Sequence, residues 1–215
     1  MPSPAQLSYE LRKARTDDMQ RRRWIVGLSL VGTAAGAVVG LYQMGMLKRL
    51  PDLPVKPFDA TKVDKQPYAY KRLQTPDALL MLASYAATAV LAGAGGKDRA
   101  RDNPTLPILL AAKTLYDFAT AVKLGTEEWQ ETRALCGYCQ AATVASLVSA
   151  GLAMPEAAKA VREVFAIGLT EQERRERERR LAARPPAPPR VAPEDTARRP
   201  KNYTRPLKGQ QPVHA

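Results

Sequence analysis

The chain has 215 residues, with 33 Lys and Arg against 21 Asp and Glu, a formal net charge of +12 and two cysteines. That length suffices for one ordinary domain. Cys136 and Cys139 cannot form the disulfide framework of a small secreted protein, and with the single His214 they fall short of the four ligands of a structural zinc site, so no metal is expected. The basic residues lie beside apolar runs or in a Pro-rich tail, not among aromatic readers on a folded face, so membrane lipid and not nucleic acid is the expected partner.

Residues 1–23 form a basic N-terminal segment ending in Arg21, Arg22 and Arg23. From Trp24 to Leu47 no charge interrupts the chain, and about 20 apolar residues suffice to span a bilayer. This run is too long for the apolar core of a signal peptide, and further spans follow it, so retention is expected over cleavage. Gly32, Gly36 and Gly40 repeat every four residues along it, which puts three bare backbone patches on one helix face and predicts close approach of a neighbouring helix. Residues 48–75 are a long loop carrying Pro51, Pro54, Pro57 and Pro67 with Phe58, Tyr68 and Tyr70, either a lid or a connector lying on the membrane. A second span is expected from Asp77 to Gly96, closed by the run Gly93 to Gly96, and a third from Pro104 to near Gly125. Lys113 and Asp117 lie within the third span four residues apart, on one helix face, and read as a self-compensated ion pair or as a contact for a polar head group. A fourth span is expected from Ala134 to Met154, stopped by Pro155.

Thr170 and Glu173 match a capping box and predict a new, charged helix across 171–184. From Pro185 to Ala215 the chain holds eight prolines and few apolar residues, so it is expected to be disordered. The fold class is therefore an all-α membrane protein: a four-transmembrane-helix bundle over 24–155, charged cytoplasmic helices over 156–184 and a disordered tail over 185–215. With the N-terminus inside, 23 Lys and Arg face the cytoplasm and 9 face outward, Lys113 apart. That balance predicts an inner-membrane protein with both termini cytoplasmic.

Cys136-Gly137-Tyr138-Cys139 opens the fourth span, hence at the outer, periplasmic face. Sulfurs three residues apart on a helical turn join with little movement, and a helix N-terminus stabilises a thiolate. Arg133, one turn before Cys136, is placed to add to that effect. The residues upstream show no strand–helix–strand pattern, which argues against a thioredoxin fold. Two ordinary buried cysteines, or a membrane dithiol exchanging electrons with a lipid-soluble carrier, remain open.

The CGYC motif at the outer end of the last of four spans, the small and hydroxyl-rich run from Gln140 to Ser149, the Leu41-Tyr42 end of the first span and the long loop after it resemble the vitamin K epoxide reductase family, bacterial homologues included, over residues 24–155. The resemblance implies a four-helix bundle enclosing a quinone, ubiquinone or menaquinone, beside a catalytic dithiol. It also implies that Cys139 faces the quinone and Cys136 exchanges with an incoming thiol. Many family members carry a second cysteine pair in the loop after the first span. Lys48 to Thr75 contains no cysteine, so electrons are expected from a separate thioredoxin-like donor or a small thiol. The reading is a membrane thiol–disulfide oxidoreductase coupled to quinone. The alternative is a non-enzymatic membrane subunit that keeps the fold and binds a partner protein, which the cysteine-free loop favours and the intact CGYC disfavours.

Overall fold

A computed structural model of the protein describes residues 3–182, and the stretch expected to be disordered lies outside them. The chain divides into two compact units, Met1–Gln172 and Glu173–Ala215. The described residues are mostly helical: α1 (Pro4–Lys13), α2 (Asp17–Gln43), α3 (Ala60–Asp64), α4 (Asp77–Gly93), α5 (Arg99–Asp102), α6 (Thr105–Thr132) and α7 (Gly137–Ala182), with a 3₁₀ turn at Pro67–Tyr70. No strand ladder occurs among them.

Two helices are long and apolar enough to cross a membrane, Asp17–Gln43 and Gly137–Glu176, so half of the four-span expectation is met by length and hydropathy. Asp77–Gly93 is apolar but has only 17 residues. At about 1.5 Å per residue it falls just short of a hydrocarbon core of about 30 Å. The helix from Thr105 to Thr132 is long enough but carries Lys113, Asp117 and Lys123.

Helix α2 starts well before Trp24. Thr16 caps it by accepting from the Met19 N–H, and Asp17 and Asp18 lie in its first turn, where the helix dipole favours acids. The glycine stripe packs as its spacing predicts, against α4. A Cβ on Gly32 would sit 2.6 Å from the Tyr85 ring, and one on Gly36 would lie 3.2 Å from the Ala78 carbonyl oxygen. Only residues without side chains allow this approach.

The ion pair within α6 is satisfied by its neighbours. Lys113 Nζ donates to Asp117 Oδ2 at 2.5 Å and also reaches Ser84 Oγ and Thr88 Oγ1 of α4 at 2.7 Å. At the opposite end of α4 from Asp77, two buried arginines gather the carbonyls that the helix leaves free. Arg22 donates to Ala92, Ala94, Gly95 and Gly96, and Arg99 donates to Leu91 and Ala94. Arg99 is in turn held by both oxygens of Glu156, each at 2.8 Å. Arg22, counted from sequence as an orientation signal, is thus also a helix cap. Between these ends, Ile25, Ala92, Leu110, Ala111, Ala153 and Ala157 form a core drawn from four helices.

Two expectations fail along α7. Pro155 does not stop the helix, which continues through it. A proline inside a helix removes one hydrogen bond and crowds the carbonyl four residues back. The next residue, Glu156, is anchored on Arg99, which holds the chain in register beyond the proline. Thr170 does not cap a new helix either. Its hydroxyl donates back to Ile167 O at 2.9 Å within the continuing helix.

Candidate redox site

The residues after α2 fold into a cap. Asp59 caps α3 by accepting from the Lys62 N–H at 2.8 Å, and Asp52 accepts from the N–H groups of Leu53 and Ala60. The loop is stitched to the segment just before the cysteines by an isolated parallel bridge between Phe58 and Leu135. There the Asp59 N–H donates to Leu135 O and the Leu135 N–H to Pro57 O, each at 3.0 Å. Lys62 Nζ ties the cap to the end of α6 through Thr132 O at 2.7 Å, and Tyr138 OH ties α7 to Pro51 O at 2.7 Å. Of the lid and connector readings, the folded cap matches the lid.

The helix carrying the thiols begins at Gly137 and not at Ala134, so Cys136 sits just before the first turn, its carbonyl accepting from the Gln140 N–H at 3.0 Å. Both cysteines are free thiols. Cys136 is 0% exposed, packed with Leu50, Ala60 and Val63 of the cap. The thiol expected to exchange with an incoming donor is therefore covered, because the loop folds over it. Cys139 is half-buried and lies in the wall of a cavity. Arg133 does not bear on the pair: it is an exposed left-handed residue (φ 50°) that closes α6.

Carboxyls surround the dithiol instead. Buried Glu128, near the end of α6, accepts from the Cys136 N–H and so fixes the turn on which the pair sits. Asp64, the last residue of α3, is buried, and one of its oxygens and the two sulfurs all lie within 4.8 Å of one another. Burial pushes the Asp64 carboxyl up to about 7, with Asp77 and Asp52 adding to the effect. Three donors remain one short of a closed zinc set. Neither carboxyl was singled out from sequence. Asp64 sits in a loop with no motif around it, and Glu128 reads as one of several charges after Gly125. Only the folding of the cap onto α6 and α7 brings them to the sulfurs.

The cavity beside Cys139 measures about 310 Å³. Tyr68, Tyr85 and Tyr116 line it with Leu80, Met81 and Leu124, and Asp64, Asp117, Glu128 and Gln140 are among its polar residues. Tyr85 is pinned there, its hydroxyl donating to Ala142 O and sharing a hydrogen bond of 2.7 Å with Ser146 Oγ. A CxxC thiol thus lies in the wall of a largely apolar cavity, within a chain whose described residues are mostly helical. The vitamin K epoxide reductase family model matches residues 23–154, and the chain belongs to that family, whose members are membrane-embedded and quinone-linked. No curated protein and no solved structure gives a significant match.

Proposed function

We propose that this protein is a thiol–disulfide oxidoreductase in which Cys136 and Cys139 cycle between dithiol and disulfide and deliver electrons to a quinone. The observation that carries the reading is the position of Cys139 in the wall of a tyrosine-lined, mainly apolar cavity. Its volume of about 310 Å³ sits at the lower end of the range for small-molecule sites, roughly 300–1,000 Å³. Tyr68, Tyr85 and Tyr116 would flank a flat ring, and the Gln140 amide offers a hydrogen bond to one of its oxygens. A quinone, ubiquinone or menaquinone, supplies the two-electron acceptor when bound.

The donor thiolate attacks Cys136 of the oxidised pair, Cys139 leaves as the thiolate, and the donor's second thiol releases Cys136. With no cysteine in the loop, that donor is a separate thioredoxin-like protein or a small thiol. In this reading α2, α4, α6 and the first part of α7 are the four spans of an inner-membrane bundle. Both termini are cytoplasmic and the cap lies on the periplasmic side. The family match and the intact CGYC disfavour the purely structural subunit.

The test uses purified full-length protein in lipid nanodiscs with a dithiol donor and a short-chain quinone. Cys136→Ser and Cys139→Ser should each abolish quinone reduction. Offered the disulfide of a single-thiol donor, which Cys136 attacks with expulsion of one thiolate and which has no second thiol to release the adduct, Cys139→Ser should also accumulate a mixed disulfide on Cys136 that survives non-reducing electrophoresis, and Cys136→Ser should trap far less. If neither variant alters quinone reduction or traps a donor, the enzymatic reading fails.

A further inference from the structure

Among the carboxyls around the dithiol, Asp64 stands out in having the Cys136 thiol itself as its side-chain hydrogen-bond partner. Asp52 holds the N–H groups of Leu53 and Ala60, Asp77 accepts from Gln43 Nε2 at 2.7 Å, and Glu128 holds the Cys136 N–H. Asp64 is 2% exposed, and its Oδ2 has no hydrogen-bond partner. Burying a polar group without a partner costs stability, so packing gives no reason to keep a carboxyl there. A carboxyl oxygen and both sulfurs nevertheless lie within 4.8 Å of one another.

We propose that Asp64 is the proton carrier of the dithiol, a catalytic residue that gives a proton to the sulfur leaving the Cys136–Cys139 disulfide and takes one from the thiol that attacks. This rests on the redox reading above. In reduction, an incoming thiolate attacks one sulfur of the pair. A new S–S bond forms as the old one breaks, and the departing sulfur keeps the bonding electrons. It then takes the proton of the Asp64 carboxylic acid, which becomes carboxylate. In the reverse direction the carboxylate removes a thiol proton and the resulting thiolate attacks. The electrons come from the incoming thiol, and Asp64 moves only the proton.

The surroundings suit the role. The charged groups acting on Asp64 are Asp52 of the loop, Asp77 of α4 and Glu128 of α6, all acidic, with the phenols of Tyr68 and Tyr70 from the 3₁₀ turn. Arg72, also on the cavity wall, acts on Asp77. Burial and these acids hold the carboxyl at about 7, so both of its forms are populated at neutral pH.

The experiment follows reduction of the oxidised full-length protein by dithiothreitol in nanodiscs, against pH. A positioned acid or base contributes about 10²–10⁴-fold. Asp64→Asn should therefore slow reduction by at least about tenfold and remove an ionisation near neutrality from the profile, and Asp64→Glu should restore the profile's shape. An Asn variant reduced at the wild-type rate with the wild-type profile overturns the proposal. The wild type is also tested without substitution: its oxidised-minus-reduced infrared difference spectrum should contain a carboxylic-acid band that moves in Asp64→Glu, and absence of that band equally overturns it. Quinone reduction is scored separately. Wild-type protein that shows the Asp64 profile but reduces no quinone refutes the quinone reading and leaves Asp64 in place. Asp64→Asn that reduces quinone normally and keeps the profile refutes the carrier alone.

Discussion

Replacing Glu156 by alanine isolates the buried pair that closes the cytoplasmic end of the proposed bundle. Arg99 is 0% exposed in its side chain and Glu156 4%, and the guanidinium meets both carboxylate oxygens at 2.8 Å. Removing one partner of a buried pair leaves an uncompensated charge and costs about 3–5 kcal/mol. Here Arg99 keeps the carbonyls of Leu91 and Ala94, each at 2.7 Å, so the lower end, about 3 kcal/mol, applies. For a chain of this size that is a fall of roughly 6–12 °C in Tm. Thermal unfolding in detergent, followed by tryptophan fluorescence, reads it directly. The double variant Arg99→Met, Glu156→Leu should recover part of the loss, because an apolar pair carries no desolvation cost but leaves the Leu91 carbonyl without its donor. A Glu156→Ala shift under about 1 °C, or a double variant as unstable as the two single losses added, would refute the reasoning.

Gly32→Ala should cost about 1–3 kcal/mol, because its Cβ would lie 2.6 Å from a Tyr85 ring that Ala142 and Ser146 hold in place; an unchanged Tm would show the ring free to swing. The raised Asp64 carboxyl predicts a pH-dependent difference between wild type and Asp64→Asn. The neutral acid is favoured on folding, so its stabilisation is complete below the ordinary value of 3.8 and is lost as pH rises to about 7. The Asn variant should gain on wild type across that window, by up to about 4 kcal/mol, and parallel unfolding curves at pH 4.5 and 7.5 would contradict it. For topology, single cysteines are placed at exposed Lys65 and Lys97 in a protein whose own cysteines are serine. An impermeant maleimide should label Lys65→Cys in intact cells and Lys97→Cys only after the inner membrane is opened, and the reverse pattern would invert the orientation.

The parts of the fold written as short-range patterns were legible. The Gly32, Gly36 and Gly40 stripe announces its neighbour because the spacing alone fixes the face. Lys113 and Asp117 announce an ion pair for the same reason. What depends on distant residues was not legible. Pro155 reads as a stop until the Arg99 anchor on Glu156 is known. The burial of Cys136 under Leu50, Ala60 and Val63 has no local signature, and Arg133 reads as a thiolate partner until its left-handed backbone turns it outward. Asp64 lies 72 positions from Cys136 by residue number, and no local pattern links them.

The cap also sets a condition on the proposed electron donor. Leu50, Ala60 and Val63 are each no more than 3% exposed and pack in one cluster with Cys136. Returning a leucine and a valine to water costs roughly 1.5–3 kcal/mol each, and the alanine methyl adds a little. Lifting the cap thus costs about 4–6 kcal/mol, an open population near one molecule in 10³–10⁴. A relay through loop cysteines would make such opening unnecessary, since the cap itself would hand electrons to Cys136. Here the cap has no cysteine, and the donor has to reach a sulfur that the cap covers. A protein donor therefore needs contacts that favour the lifted cap. The exposed lysines of that cap, Lys56 and Lys65 among them, suit an acidic surface on the donor. A small thiol has no such contacts and should reduce Cys136 only in the few molecules whose cap is already lifted.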